Sequence, residues 1–198
     1  MDNLTTFERK NMAKKVYQIQ IVLKGSKPKI WRRILVDSDI SLVDFHCIIQ
    51  TTMGWTNSHL HVFSDGINDY SPKEFEVDFT SDSRTIRLNK LLDREKSKIN
   101  YEYDFGDGWE HTITLEKILP PDNQIQTPKC IAGRRNCPPE DCGGIWGYSD
   151  MLEILKQPGH EEYASYIEWL GGEFDSEYFN KDEINFRLKE KDYGCIWF

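Results

Sequence analysis

The chain has 198 residues, of which 38% are hydrophobic and 13% aromatic. This composition can form one sizeable hydrophobic core and argues against a disordered chain. The formal net charge is −8 at pH 7, whereas a module that binds duplex phosphates usually concentrates lysine and arginine on one face. Nucleic acid is therefore disfavoured as a partner.

The sequence predicts a cytoplasmic protein without a membrane span. No apolar run approaches the ~18 residues of a membrane helix, and the polar N-terminus lacks the apolar segment of a signal peptide. Five cysteines, an odd number, then indicate reduced thiols. Because no repeat or interdomain linker is seen, we expect a flexible arm over residues 1–15, one domain over 16–188 and a C-terminal tail over 189–198.

The first part of the chain predicts a β-hairpin followed by a helix. Apolar and polar residues alternate over 16–23, which is typical of a half-buried strand, and 30–36 is its expected partner after a Gly- and Pro-containing turn. Ser41, with Asp44 three residues later, predicts the start of a helix, and Gly54 predicts its end.

Three histidines lie inside the predicted elements that follow. His46 falls on the apolar stripe of the helix, so it is either a buried imidazole bonded to a backbone group or a ligand or catalytic residue. His59 and His61 share one face of a predicted strand over 58–63. Two imidazoles on one face can bind a metal or move protons, and the alternative is that they simply form the wetter side of the strand.

The clearest hairpin joins a strand over 99–104 to a strand over 109–118 through a turn with two glycines. His111 lies in the apolar row of the second strand, as expected of either a core histidine or a site histidine. Residues 120–147 are rich in Pro, Gly and Cys and have no period. They are therefore predicted as a long loop, which is often a functional feature.

Three helical segments are predicted near the C-terminus, over 149–157, 161–170 and 180–189. Together these elements predict a single-domain α+β fold. Its mixed or antiparallel sheet is built from hairpins, with flanking helices and a long Cys-, Pro- and Gly-rich loop.

Three cysteines of the long loop form a first candidate site. Cys130, Cys137 and Cys142 are separated by six and then four residues, and His111 as a fourth ligand would complete a tetrahedral zinc site. Water in the fourth position would make the site catalytic. The alternatives are a loop whose cysteines are small buried apolar groups, or a redox or disulfide role.

Carboxylates and imidazoles form a second candidate site. Its members are His59, His61, Asp104, Asp107 and His111, and such groups together hold a divalent metal or perform general acid–base catalysis. This set predicts a metal-dependent hydrolase. Asp107 also has a structural interpretation, because Asp between glycines is common in turns.

Two arginine pairs support a third interpretation, a nucleic-acid accessory protein of mobile elements. The pairs are Arg32-Arg33 and Arg134-Arg135, and phosphate contact requires such side chains. The alternative is that all four are solvated or salt-bridged.

Several motifs in a fixed order resemble a known family. They are Trp31-Arg32-Arg33-Ile34, His46 to Gln50 leading into Gly54-Trp55, His59-Leu60-His61-Val62-Phe63, Tyr103 to His111, Cys137 to Gly144, and Gly147-Tyr148. Over about residues 16–188 the chain resembles the Ri-plasmid open-reading-frame-three-like family. Members of that family are found on plasmids, in insertion elements and in many prokaryotic genomes.

The resemblance implies a compact α+β fold with a sheet flanked by helices. The motif positions shared with the family are His46, His59, His61, Asp104, Asp107, His111 and the three loop cysteines, and the family assigns them no roles. Some members carry a resolvase-like label, which this sequence does not support because it shows neither a nucleophile-plus-arginine site nor a DNA-reading helix-turn-helix.

The preferred hypothesis from the sequence is an intracellular binding or accessory module. Its long loop would be pinned by a metal, with zinc as the candidate, onto the hairpin that bears His111. The hydrolase and the nucleic-acid accessory protein remain the alternatives.

Overall fold

The fold is organised around one mixed sheet of eight strands, seen in a computed structural model that describes residues 14–122 and 124–196. The strand order is β5-β4-β3-β6-β7-β1-β2-β8, and β4 and β5 form the parallel pair while the other neighbours are antiparallel. The strands are β1 Val16–Leu23, β2 Trp31–Asp37, β3 His61–Ser64, β4 Asp69–Ser71, β5 Thr80–Asp82, β6 Lys98–Tyr103, β7 Trp109–Leu119 and β8 Lys129–Arg134.

Five helices accompany the sheet among the described residues: α1 Leu42–Met53, α2 Leu88–Leu91, α3 Gly144–Leu155, α4 Tyr163–Leu170 and α5 Lys181–Arg187. Short 3-10 turns lie at Lys73–Phe75, Ser83–Thr85 and Lys191–Gly194. This confirms the predicted single-domain α+β fold with a mixed sheet. In the part of the chain that the structure describes, no helix is both long and apolar enough to cross a membrane.

The buried face of the sheet follows directly from the alternation in the sequence. In β1, Ile19 and Ile21 are fully buried while Gln18 and Gln20 are only partly covered. Their neighbours across the β1–β7 pair are Leu115 and Ile113, which are also fully buried. Burial of each such side chain contributes about 1.5–3 kcal/mol, so this row of strands is the main source of stability.

Helix α1 covers the buried face and begins and ends where the sequence predicts. The Ser41 hydroxyl accepts a hydrogen bond from the backbone N–H of Asp44 at 3.1 Å, which caps the first turn. Gly54 adopts a left-handed φ of 100° and donates its N–H to the carbonyl of Gln50 at 2.8 Å. Nearly every side chain between these caps is buried.

Two predicted boundaries differ in the structure. The segment 120–147 is not one long loop, because it contains β8 and the first turn of α3. β8 pairs with β2 across a register shift and shows no burial alternation, so it has no period-two signature. Strand β3 begins at His61 rather than Ser58, which leaves His59 in the connection before the strand.

The two ends of the chain were predicted as an arm and a tail. Most of the predicted arm, residues 1–13, lies outside the described residues. At the other end, Thr51 of α1 donates its hydroxyl to the carbonyl of Tyr193 at 2.7 Å, and Asn57 donates its amide to the carbonyl of Ile196 at 2.8 Å. Residues 191–196 therefore lie against α1 and the connection that follows it.

Three imidazoles are sealed in the core under α1. His46, His61 and His111 have 0% relative exposure, and the rings of His46 and His61 stack with centroids 3.5 Å apart. Nε2 of His46 lies 2.7 Å from the amide oxygen of Asn57 and Nδ1 lies 2.9 Å from the hydroxyl of Tyr101. Because an amide oxygen only accepts, Nε2 carries the proton and Nδ1 accepts from Tyr101.

Burial keeps these rings neutral. It lowers the pKa of His46 to about 4 and that of His111 to about 3. Two effects hold the pKa of His61 well below its usual range. Burial is the larger effect, and electrostatic repulsion from the His46 ring is the smaller one. The sequence left open whether His46 and His111 are core histidines or site histidines. Their burial fits the interpretation as core histidines.

The stability of the fold should fall with acidification below pH 6.5. The unfolded chain takes up protons near the usual histidine pKa of ~6.5, whereas the folded rings stay neutral until well below it. Each ring should thus contribute a loss of up to about 1.4 kcal/mol per pH unit as the pH falls from 6.5 to 5. Urea unfolding at a series of pH values measures this slope.

The variant H61F removes one of the three buried imidazoles. It should therefore make the dependence of the free energy of unfolding on pH less steep, by the contribution of one titrating group. H160Q, at a partly exposed position, is the matched control and should leave the slope unchanged. A free energy of unfolding that stays constant from pH 6.5 to 5 would show that the buried rings accept protons without unfolding.

Candidate metal centre

Three side chains from distant parts of the sequence converge at the rim of the sheet. They are His59 before β3, Asp104 in the β6–β7 turn and Asp141 in the connection between β8 and α3. One possible ligand atom from each residue lies within 4.8 Å of the other two. In the described part of the chain, this is the group of at least three His, Cys, Asp or Glu residues that could hold a metal ion.

The distances within this group suit a small divalent ion. Nε2 of His59 lies 3.3 Å from Oδ1 of Asp141 and 3.7 Å from Oδ2 of Asp104. Two ligands placed tetrahedrally at zinc distances of about 2.0–2.1 Å are about 3.4 Å apart. The observed separations therefore leave room for one ion between the three atoms.

The Nε2 atom of His59 is buried and makes no hydrogen bond, although both carboxylates are within ion-pair distance. The 3.7 Å separation from Asp104 is too long for a hydrogen bond, and the 3.3 Å contact with Asp141 is not a hydrogen bond either. The ring itself is held by an edge contact with Tyr103, with centroids 5.8 Å apart. A fixed, unpartnered imidazole nitrogen is the arrangement that a metal ligand requires.

Asp104 is oriented by the turn that carries it. Its Oδ1 accepts from the backbone N–H groups of Gly106 at 2.9 Å and Asp107 at 3.3 Å, as in an Asx turn. The residue has a left-handed φ of 59°, which Asp tolerates. With Oδ1 used by the turn, Oδ2 faces His59, and the side chain is only 9% exposed.

Asp141 is brought to the site by the 137–143 loop, which is bound to the segment 55–58 and to β6. The Glu140 carboxylate accepts from the N–H of Thr56 at 3.0 Å, from the Thr56 hydroxyl and from the Tyr103 hydroxyl. Trp55 donates its indole N–H to the carbonyl of Pro138 at 2.9 Å. Polar contacts of the protein itself thus hold the loop.

Asp107 also binds the loop rather than joining the metal group. Its Oδ2 accepts from the N–H of Gly143 at 3.3 Å. At the next residue the two backbones approach so closely that a Cβ on Gly144 would lie 2.4 Å from the carbonyl oxygen of Asp107. Only glycine fits there, which explains the Gly-Gly pair after Cys142.

The structure brings together two of the five residues predicted as an acid–base and metal set. His59 and Asp104 lie in the candidate centre, whereas His61 and His111 are sealed in the core and cannot line an open cleft. Asp107 holds the turn and the loop, as its structural interpretation allows. Asp141 was not among the residues predicted from the sequence, where its only signal is its place in the Pro-Pro-Glu-Asp-Cys-Gly-Gly motif.

The predicted thiolate ligands are not brought together in the described residues. No group of ligand atoms that includes Cys130, Cys137, Cys142 or His111 meets at one point among the described residues. Cys130 lies in β8 with its thiol toward the carbonyl of Ala132, and Cys137 contacts the sulfur of Met53 at 3.5 Å. Hydrogen bonds join the loop to the hairpin, from Tyr103 to Glu140 and from Gly143 to Asp107.

Three of the four arginines are engaged within the chain, whereas Arg134 is exposed. Arg32 is only 3% exposed, and its guanidinium donates to the carbonyls of Thr52, Trp31 and Arg134. Arg33 pairs with Glu116 at 2.6 Å and Arg135 with Glu177 at 2.7 Å. This pattern agrees with the salt-bridged interpretation and removes Arg32 as a contact to phosphate.

Comparison with known proteins identifies relatives over most of the chain. The family model described as "Plasmid pRiA4b ORF-3-like protein" matches residues 15–183. The "Uncharacterized protein y4hQ" of Sinorhizobium fredii is 36% identical over 177 residues, which cover 88% of this chain and 91% of that protein.

A solved structure is similar as well. The crystal structure of the protein of unknown function MM3350 from Methanosarcina mazei Go1 superposes with a TM-score of 0.78 at 38% identity, covering 87% of this chain and 98% of that one. The sequence relative covers 88% and the solved structure 87% of this chain, and the family model matches residues 15–183. This chain therefore belongs to the family of plasmid pRiA4b ORF-3-like proteins.

Proposed function

We propose that this chain is a binding or accessory module that holds one divalent metal ion through His59, Asp104 and Asp141. The ion ties the 137–143 loop to the β6–β7 turn, the role that the sequence analysis assigned to thiolate-bound zinc. The observation that carries this proposal is the buried Nε2 of His59, which faces two carboxylate oxygens at 3.3 and 3.7 Å without a hydrogen bond.

Electrostatics favour a cation at this position. Two carboxylates face the same imidazole and repel each other, and Asp104 is largely removed from water. A buried carboxylate is costly unless it is paired with a positive charge or coordinates a metal. A divalent ion offsets both negative charges at once and uses the free lone pair of His59.

The ligand set indicates which ion is preferred. One imidazole with two carboxylates suits zinc, and also manganese or iron(II), whereas sites for calcium and magnesium are mostly built from oxygen ligands alone. No thiol belongs to the group among the described residues. Zinc is therefore the first candidate, with protein ligands of nitrogen and oxygen only.

The ion should bind with measurable stoichiometry and depend on the three ligands. Calorimetric titration of metal-free protein with Zn²⁺ should show one site, and H59Q, D104N and D141N should each weaken it by more than about 100-fold. D104N keeps the Oδ1 acceptor on which the turn depends, so its loss of affinity reports the charge and not misfolding.

The cysteine variants C137A and C142S are the matched controls and should bind Zn²⁺ like the unchanged protein. Loss of Zn²⁺ binding in C142S together with normal binding in D141N would refute the proposed ligand set. It would instead indicate that the cysteine thiolates bind the metal.

Glu140 should contribute to metal affinity without touching the metal, because it holds the loop that carries Asp141. E140A removes three hydrogen bonds to Thr56 and Tyr103, so the affinity for Zn²⁺ should fall about 10- to 100-fold, as for other residues that support a ligand. The control E153A removes an exposed carboxylate of α3, which pairs with Lys156, and should leave the affinity unchanged. Equal affinities for both variants would mean that the loop needs no such support.

A second candidate function is a metal-dependent hydrolase, favoured by the open outer side of the group. The side chain of Asp141 is 70% exposed, so an ion held by three protein ligands would keep a position for water, as catalytic zinc sites do. The two functions differ in turnover. Zn²⁺- or Mn²⁺-loaded protein that hydrolyses a nitrophenyl ester or phosphodiester, and loses this activity in D141N, would favour the hydrolase.

A cytoplasmic location belongs to the same proposal. All five cysteines are free thiols in the structure, a state that a reducing compartment maintains. Fractionation of cells that express the native protein tests this expectation.

A further inference from the structure

The C-terminal segment 191–196 carries a cysteine against the helix on which it lies. Tyr193 is fixed to Thr51 and Ile196 is fixed to Asn57 by hydrogen bonds of 2.7 and 2.8 Å. Cys195 lies between these two anchors. On α1, Cys47 precedes Thr51 by one helical turn, so it lies on the same face.

Ile196 is fixed to Asn57, whose amide oxygen lies 2.7 Å from Nε2 of His46, the residue before Cys47. Cys195 therefore lies beside Cys47, and the two side chains interact. Their exposure differs, since Cys47 is buried at 3% and Cys195 is partly exposed. A small oxidant from solution therefore reaches Cys195 first. Cys47 is shielded from solvent but adjacent to any bond formed on its neighbour.

We propose that Cys47 and Cys195 form a redox-active dithiol, which a low-molecular-weight disulfide of the glutathione class converts into an intramolecular disulfide. This bond joins the C-terminal segment covalently to α1. The inference does not depend on the proposed metal function, because neither cysteine belongs to the metal group among the described residues.

The reaction consists of two thiol–disulfide exchanges. The Cys195 thiolate attacks one sulfur of the oxidised glutathione, a mixed disulfide forms, and one glutathione leaves with the proton that the Cys195 thiol has lost. The Cys47 sulfur then attacks the Cys195 sulfur, the mixed disulfide breaks, and the second glutathione leaves with the proton of Cys47. Two protein thiols are oxidised and one glutathione disulfide is reduced to two thiols.

The surroundings favour Cys195 as the attacking thiol. The interaction with Cys47 lowers the pKa of Cys195 and stabilises its thiolate. Burial raises the pKa of Cys130 and Cys137 to about 11 and that of Cys142 to about 12. At neutral pH the thiolate fraction is therefore greatest at Cys195 among these four.

Peptide mapping of the full chain after treatment with oxidised glutathione tests the proposal. Remaining thiols are alkylated and the protein is digested with trypsin without reductant. The expected product is peptide 34–73, which contains Cys47, linked to peptide 192–198, which contains Cys195. The link should be lost on reduction and absent from C47S and C195S.

Two variants make the assignment specific. C47S should accumulate a mixed disulfide between glutathione and Cys195, because the resolving thiol is missing. C142S, which removes another partly exposed thiol, should form the linked peptides as the unchanged protein does. Oxidised protein without the linked peptides, or the same glutathione adduct in the unchanged protein and in C47S, would overturn the proposal.

Discussion

The hydrogen bonds of the Glu140 carboxylate join three parts of the chain that are distant in sequence. They connect the 137–143 loop to Thr56, which follows α1, and to Tyr103 at the end of β6. Burial and this hydrogen bond both raise the pKa of Tyr103, so its hydroxyl stays protonated and continues to donate. The position of Asp141 beside His59 and Asp104 depends on this contact.

The polar groups of the protein divide into those that stabilise the core and those that remain available for chemistry. His46, Tyr101 and Gln50 satisfy one another under α1, and Arg32 is covered by backbone carbonyls. Such networks are part of the architecture, since their atoms are already used. The ring nitrogens of His59, His61 and His111 include buried atoms without a hydrogen bond, and among these three residues His59 has carboxylates within ion-pair distance.

The two proposed sites follow from contacts made by segments outside the regular strands. The metal group needs the 137–143 loop, and the dithiol needs residues 191–196 against α1. Segments of this kind are held by a few specific bonds, whereas the strands are held by continuous burial. Both proposed sites therefore lie in segments that pack against the sheet or against α1, whereas the continuous burial lies in the sheet.

Local pattern was sufficient for most of the fold. The alternation in β1 and β7 and the caps at Ser41 and Gly54 predict strand faces and helix ends, because these features depend on neighbours within a few residues. Local pattern did not predict β8, which lies in the segment expected to be a long loop. This segment lacks alternation and is a strand only because it pairs with β2. Its existence is a property of the sheet.

The residues of the candidate site also fall into two groups, those that the sequence suggested and those that only the tertiary structure revealed. Composition and motif identified His59 and Asp104 as chemically suitable residues, and the sequence by itself determined the turn that orients Asp104 through the neighbouring N–H groups. Only the tertiary structure decided that Asp141 joins them, that the cysteines do not, and that His61 and His111 are buried. The physical reason is that a loop takes its position from the long-range hydrogen bonds of Glu140 and Trp55, and such bonds leave no period in the sequence.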